Sequence, residues 1–322
     1  MTDDAARFQD GFGRLRDAMR RSVVGCDEAV EHLLVGFFAG GHVLIESEPG
    51  LGKTLLAKSF AAAAGLPSAR IQFTPDLMPA DITGTNIFVE EPGGARRFEF
   101  RPGPVFTQIL LADEITRATP KTQSALLEAM QERRVTAAGE TRPLDSPFFV
   151  IATQPPEGSQ GTYPLPEAQL DRFLLKLVLA FPEDAALREI GRRSVEESDA
   201  PQHVVEPAEV DAMLAAVRRV RLVAEATDRA AELVLATHPG RAGSIDLANR
   251  YVRYGASPRG AQALVTTGKV RALLAGRAEL GPEDVEAAVL PCLRHRVILN
   301  FEAGVEGVRP EQIIDQIVER GQ

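Results

Sequence analysis

Apolar positions along this chain follow two different periods, and the change comes near residue 182. Before it, short apolar runs at Val43–Ile45, Arg70–Phe73, Ile109–Ala112, Phe148–Thr153 and Phe173–Ala180 predict strands, and helical spacing over Leu55–Ala64 and Thr119–Glu132 separates them. Strands alternating with helices imply a parallel sheet covered by helices on both faces, an α/β architecture. Upstream, Phe8, Phe12, Leu15 and Met19 recur at helical spacing, with Arg14, Arg16, Arg20 and Arg21 elsewhere on the wheel; Gly11 and Gly13 weaken the start of that helix. The most apolar stretch, His32 to Ile45, is too short to span a bilayer. It is broken by Gly36 and Gly40-Gly41-His42, and reads as helix, turn and first strand. Pro75 to Pro104 is rich in Pro, Gly and charge, a composition for an inserted hairpin or loop. After Phe181-Pro182 the period becomes helical around Glu183–Glu197, Pro207–Val217, Asp228–Thr237, Pro258–Ala275, Pro282–Leu290 and Glu311–Glu319. The expected organisation is therefore an α/β core at 1–182 and an all-helical domain at 183–322.

Composition agrees with that division. The chain has 322 residues, long for one core and comfortable for two, with 44% apolar and 25% charged residues. A net charge of −9 opposes non-specific attraction to nucleic acid or anionic membrane. The two cysteines, Cys26 and Cys292, stand far apart in no metal-ligand spacing, which suits a reducing compartment. Asp3, Asp4, Arg7 and Asp10 interrupt any apolar run at the amino terminus, so no signal peptide is read there and the cytoplasm is expected.

The sharpest chemical signal follows the first strand. Ser47-Glu48-Pro49-Gly50-Leu51-Gly52-Lys53-Thr54 matches a nucleoside-triphosphate phosphate loop, with Ser47 where the first glycine usually stands. A turn built on Gly50 and Gly52 can point successive N–H groups into a concave nest, and the helix starting near Lys53 adds its positive dipole end. Lys53 would place its charge between the β- and γ-phosphates, and Thr54 Oγ1 would ligate Mg²⁺. Pro49, Leu51 and Leu55 complete the loop around the nucleotide. Serine can make the turn if its φ is negative, so this departure weakens the loop rather than abolishing it.

About sixty residues on, Ile109-Leu110-Leu111-Ala112 ends in Asp113-Glu114, the pattern of a buried parallel strand whose carboxyl end opens into the ligand crevice. Asp113 would hold Mg²⁺ through a water. Glu114 would orient and polarise the water attacking the γ-phosphate.

Many ordered stretches then resemble the MoxR family of AAA+ ATPases. They include Pro75–Gly84, Phe100–Phe106, Ala112–Ala118, Pro120–Met130, Gly161–Phe173 and Gly255–Arg259, and the likeness runs from about Val23 past Arg259. The resemblance implies a ring-forming, Mg²⁺-dependent ATPase, a homo-oligomer of six subunits, with sites shared between neighbours and a helical lid. It gives Arg172 the role of an arginine finger entering the next subunit's site. It gives Arg259, after the helix-starting Ser257-Pro258, the role of a sensor arginine that the lid lays on bound nucleotide. It also places Val24 and Gly25 near the adenine, where Cys26 replaces a glutamine common in relatives.

One departure concerns the polar sensor at the end of the fourth strand. Relatives carry Ala-Thr-Gln-Asn-Pro, whereas Ala152-Thr153-Gln154 here precedes Pro155-Pro156, and proline has no side-chain donor or acceptor. Either Thr153 or Gln154 could substitute. The resemblance further implies chaperone-like remodelling of a partner protein, often one with a von Willebrand factor A domain, contacted through Asp76–Phe106. Two other readings remain. A nucleotide-gated scaffold with little turnover is favoured by Ser47 and Pro155 and opposed by Asp113, Glu114 and Arg172. A nucleic-acid motor is supported only by Arg96-Arg97-Phe98 and opposed by the acidic balance and the absence of tryptophan.

Overall fold

The computed structural model describes residues 3–90, 96–156, 158–193, 203–241 and 243–320. Helices α1 (Asp3–Ser22) and α2 (Asp27–Phe38) lead into strand β1 (Val43–Glu46), helix α3 (Lys53–Ala64) and strand β2 (Ser68–Gln72). A short helix α4 (Pro79–Thr83) precedes an antiparallel hairpin of β3 (Gly84–Glu90) and β4 (Arg96–Pro102). The hairpin is the insertion expected at 75–104; Gly93-Gly94 lie outside the described residues. Strand β5 (Ile109–Asp113) and helix α5 (Pro120–Glu132) follow, then a second hairpin, β6 (Arg134–Ala137) and β7 (Glu140–Pro143), strand β8 (Phe149–Gln154), helix α6 (Glu167–Leu170) and strand β9 (Leu175–Val178).

Five strands form one parallel sheet in the order β2-β5-β8-β1-β9. The alternation of side chains along each strand divides the core in two. Val43, Ile45, Ile109, Leu111, Phe149 and Ile151 face one apolar cluster, shared with α1, α2 and α3. Leu44, Leu110, Ala112, Val150 and Ala152 face the other, shared with α5 and the second hairpin. Central strands buried on both faces must be apolar throughout, which is why their sequences read as unbroken runs. Phe37 anchors the first cluster, its ring edge-to-face with Phe60 at 4.8 Å and Phe149 at 5.3 Å.

The remaining chain is helical: α7 (Asp184–Arg193), α8 (Pro207–Arg219), α9 (Ala224–Ala236), α10 (Asp246–Tyr251), α11 (Pro258–Leu274), α12 (Pro282–Glu286), α13 (Val289–Leu293), α14 (Phe301–Glu306) and α15 (Pro310–Arg320). It carries two short ladders that helical spacing did not reveal, Arg221–Leu222 with Glu279–Leu280 and Val252–Tyr254 with Ile298–Leu299. The helix expected over Pro282–Leu290 is split in two at Ala287-Ala288, and residues 194–197 of the expected Glu183–Glu197 helix lie outside the described residues. Gly11, which weakens helix propensity in α1, has a packing reason. A Cβ there would stand 2.7 Å from Met213 Sδ on α8, so glycine lets the two helices approach. The first apolar cluster runs on through Leu264, Val289, Leu293 and Ile313, so core and lid share buried surface.

Candidate functional site

The loop at 47–52 leaves the carboxyl end of β1 and turns into α3. Gly50 and Gly52 have φ of 86° and 78°, left-handed values that favour glycine, and a Cβ on either would enter open space. Ser47 stays out of the left-handed region, so the turn tolerates it. Its Oγ donates to Glu48 O at 3.1 Å, and its N–H donates to Gln154 O at 3.2 Å, tying the loop to β8. Lys53 is buried, and its Nζ donates to the carbonyls of Ser47 (3.1 Å) and Glu48 (3.3 Å). Burial lowers its pKa while Asp113 and Glu114 pull it back up. The ammonium therefore closes the loop on itself and faces the two acids. Pro49 is exposed, Leu51 packs against the core, and Leu55 is 45% exposed.

Strand β5 ends beside that loop and delivers both acids. Asp113 is nearly buried; its Oδ1 accepts from Thr153 Oγ1 at 2.7 Å, and its Oδ2 accepts from Thr54 Oγ1 at 3.4 Å. Hydroxyl and carboxylate are hard oxygen donors. Among the described residues no group of three or more His, Cys, Asp or Glu could cage a metal. This donor set fits Mg²⁺, which takes one or two protein oxygens and completes its shell with phosphates and water. Oδ2 also accepts from Arg70 Nε at 3.2 Å and Nη2 at 2.7 Å, an arginine that no sequence motif marked. Glu114 adopts φ 56° and ψ 51°, a left-handed conformation that costs a non-glycine residue about 1 kcal/mol. Its N–H donates to Thr153 Oγ1 at 2.8 Å, and its carboxylate pairs with Arg117 Nε at 2.8 Å.

Strand geometry separates Thr153 from Gln154. The two point to opposite faces of β8. Thr153 is fully buried and bridges Asp113 to the Glu114 backbone, whereas Gln154 Nε2 donates to Glu46 Oε2 at 2.7 Å, inside a Glu46–Lys176 pair at 3.0 Å. Thr153 is thus the polar group on the acids.

A cavity of about 560 Å³ opens beside Gly25, between the start of α2, the end of β9 and the lid, lined also by Cys26, His32, Leu179, Pro291 and Arg294. Gly25 has φ 77°, and a Cβ there would meet Ala186 at 2.9 Å. Val24 precedes it in the turn and is not among the lining residues. Burial, then Asp27, pushes the Cys26 thiol pKa up, which leaves it a neutral, half-buried group.

The two arginines named from sequence line one cleft. Arg172 Nη1 donates to Leu127 O at 3.0 Å, and Arg259 Nη1 stands 3.6 Å from Asp171 Oδ2. Both line a cleft of about 320 Å³ with Gly40, Gly41 and His42. Those three residues precede β1, whereas the phosphate loop follows it, so the strand separates cleft from loop by on the order of 10 Å. Asp171 organises the cleft: it accepts from Ser257 Oγ at 2.9 and 2.8 Å and from Arg296 Nε at 2.9 Å. Arg296, nearly buried, also donates to the carbonyls of Phe173 (2.6 Å) and Leu174 (3.1 Å), joining the lid to the approach of β9. The sequence carries no motif around Arg296 that would have marked it.

The chain matches the model of the ATPase family associated with various cellular activities (AAA) over residues 42–175, and an AAA lid domain over 245–317. It is 40% identical to the protein named Chaperone MoxR1 of Mycobacterium tuberculosis, covering 94% of this chain and 79% of that one. It is 41% identical to the uncharacterized protein YeaC of Bacillus subtilis, with 95% and 93% covered. A crystal structure from Cytophaga hutchinsonii, assigned as an ATPase, superposes with a TM-score of 0.90 at 38% identity, over 98% of this chain and 96% of that one. With a phosphate loop, a paired Asp-Glu strand end and a helical lid in one order along the chain, this protein belongs to the MoxR family of AAA+ ATPases, enzymes that hydrolyse ATP.

Proposed function

We propose that this chain is the subunit of a six-membered homo-oligomeric ring that hydrolyses Mg²⁺-ATP at subunit interfaces and uses the cycle, as a chaperone, to remodel a client protein carrying a von Willebrand factor A domain. One observation carries the shared-site reading. Arg172 and Arg259 share a cleft beyond the amino end of β1, away from the phosphate loop of their own chain, so the nucleotide they can serve is a neighbour's. In this reading Pro49 to Leu55 cradle the phosphates, Thr54 and Asp113 hold Mg²⁺, and Glu114 polarises the attacking water. Gly25 and its cavity receive the base. Held by Thr54 and Asp113, Mg²⁺ would supply charge neutralisation to the phosphates. Lys53 gives up its two carbonyl partners for phosphate oxygens, and Thr153 keeps Asp113 and Glu114 in register with the loop. The α/β core and the lid meet near residue 182. The β3–β4 hairpin, with Phe88 and Phe98 exposed, is the client-facing surface. The protein works in the cytoplasm; no helix among the described residues is long and apolar enough to cross a membrane.

Subunit mixing tests the proposal. Arg172→Ala and Glu114→Gln should each be inactive alone, yet their equimolar mixture should recover on the order of a quarter of wild-type turnover, because one interface type in four pairs an intact Glu114 with an intact Arg172. Co-assembly without recovery would place Arg172 in its own chain's site and overturn the shared-site reading.

A further inference from the structure

Asp113 Oδ2 has no lone-pair direction to spare. It accepts two N–H groups from Arg70, at 3.2 and 2.7 Å, as well as the Thr54 hydroxyl at 3.4 Å, while Oδ1 is taken by Thr153. Arg70 reaches it from the edge strand β2, where Gln72 pairs with Asp113 in the ladder and Arg70 stands two residues back. Its Nη2 donates to Gln72 Oε1 as well, at 2.8 Å. The Arg70 side chain is 47% exposed and Asp113 only 8%, so the arginine can swing into solvent and the carboxylate cannot. A water of a bound Mg²⁺ would need Oδ2 as its acceptor, and a divalent cation beside a guanidinium on one oxygen would repel it. Lys53 faces the same acids but spends its hydrogen bonds on loop carbonyls, and Arg117 pairs with Glu114, so Arg70 is the cation hydrogen-bonded to the metal-side acid.

We propose that Arg70 is a built-in competitor for the metal position. It holds the Asp113 carboxylate aimed at Thr54 when no metal–nucleotide is bound, and it must leave Oδ2 when Mg²⁺ arrives with nucleotide. Arg70 thereby sets the Mg²⁺ concentration at which the site closes on its ligand. This inference rests on the nucleotide reading above and assigns Arg70 a positioning role with no contact to the reacting atoms.

The test is equilibrium binding of a fluorescent ADP analogue to the full chain as a function of free Mg²⁺, for wild type, Arg70→Gln and Arg70→Lys. Arg70→Gln should reach half-saturation at about tenfold lower Mg²⁺, equivalent to about 1.4 kcal/mol, close to the lower end of what a hydrogen bond to a charged group contributes, roughly 1.5 kcal/mol. Arg70→Lys keeps a competing cation without the two-point fork, and should fall between the two. Binding of the analogue in EDTA should be alike in all three. An Arg70→Gln midpoint equal to wild type, or shifted to higher Mg²⁺, would overturn the competitor role. If Arg70→Gln failed to fold, an Arg70→Lys midpoint equal to or above wild type would do the same. Absence of binding by wild type at every Mg²⁺ concentration would instead overturn the nucleotide reading, and this inference with it.

Discussion

Replacing Thr153 with valine removes one oxygen and keeps the shape of the side chain, so its effect isolates what that hydroxyl holds together. In the fully buried site Thr153 Oγ1 donates to Asp113 Oδ1 at 2.7 Å and accepts from the Glu114 N–H at 2.8 Å. The first bond has a carboxylate acceptor and is worth roughly 1.5–3 kcal/mol, and an orphaned buried N–H costs roughly 1–3 kcal/mol more. Partial relaxation around Glu114, which is only partly buried, reduces the sum, and about 3 kcal/mol of lost stability is expected. For a chain of this size that lowers the thermal midpoint by about 5 °C. Glu114 is already held at a left-handed φ of 56°, so losing its N–H anchor lets the acid drift from Asp113 and, in the proposed role, from the water it would polarise. A displacement of about 1 Å costs on the order of 100-fold in turnover. The assay is steady-state phosphate release beside thermal unfolding, with Gln154→Leu as the comparison, since Gln154 faces Glu46 and not the acids. Thr153→Val should lose about 100-fold in kcat with nucleotide affinity nearly kept, and Gln154→Leu should lose stability and little kcat. Turnover within threefold of wild type in Thr153→Val, with loss in Gln154→Leu, would refute the assignment.

Two further outcomes follow from the same geometry. His42 is fully buried; its Nδ1 accepts from the Val150 N–H at 3.0 Å, so Nε2 carries the proton and donates to Met130 O at 3.1 Å. Burial lowers its pKa from 6.5 to about 4, so its contribution is complete above pH 6.5 and is lost as pH falls toward 4, by about 3 kcal/mol in full. Denaturant unfolding at pH 7.5 and 4.5 should show wild type losing more stability than His42→Gln by roughly that amount, and equal losses would show that His42 does not couple to pH. Gly52→Ala puts a Cβ on a φ of 78°, at a strain of roughly 1–2 kcal/mol, and into open space at the phosphate loop. ATP binding by titration calorimetry should weaken by at least about tenfold, and unchanged affinity would place the phosphates elsewhere.

Legibility followed the distance between interacting residues. The phosphate loop, the Asp113-Glu114 strand end and the core strands were readable because each is contiguous and carries its own chemistry. The second hairpin was not read, because its turn is Ala138-Gly139 with both φ positive, and alanine there gives no turn signal. The short helices α10 and α14 were missed for a related reason: six residues hold too little of a helical period to stand out. The break at Ala287-Ala288 falls between two good helix formers, where local propensity predicts continuation and packing decides otherwise.

The amino-acid sequence by itself determined that this is a phosphate-loop α/β chain with a helical lid, because apolar period and motif order are local properties of the chain. It also limited the replacement for the missing sensor asparagine to Thr153 or Gln154. Only tertiary structure chose between them, because the choice depends on which face of β8 meets the end of β5. Tertiary structure likewise brought Arg70 onto Asp113, 43 residues away, and Arg296 onto Asp171, 125 residues away. It also set Arg259 in one cleft with Arg172, away from the phosphate loop. Strand order and lid docking create those contacts, and no local pattern encodes them, because an arginine's partner is set by where the fold ends its reach and not by its neighbours in sequence.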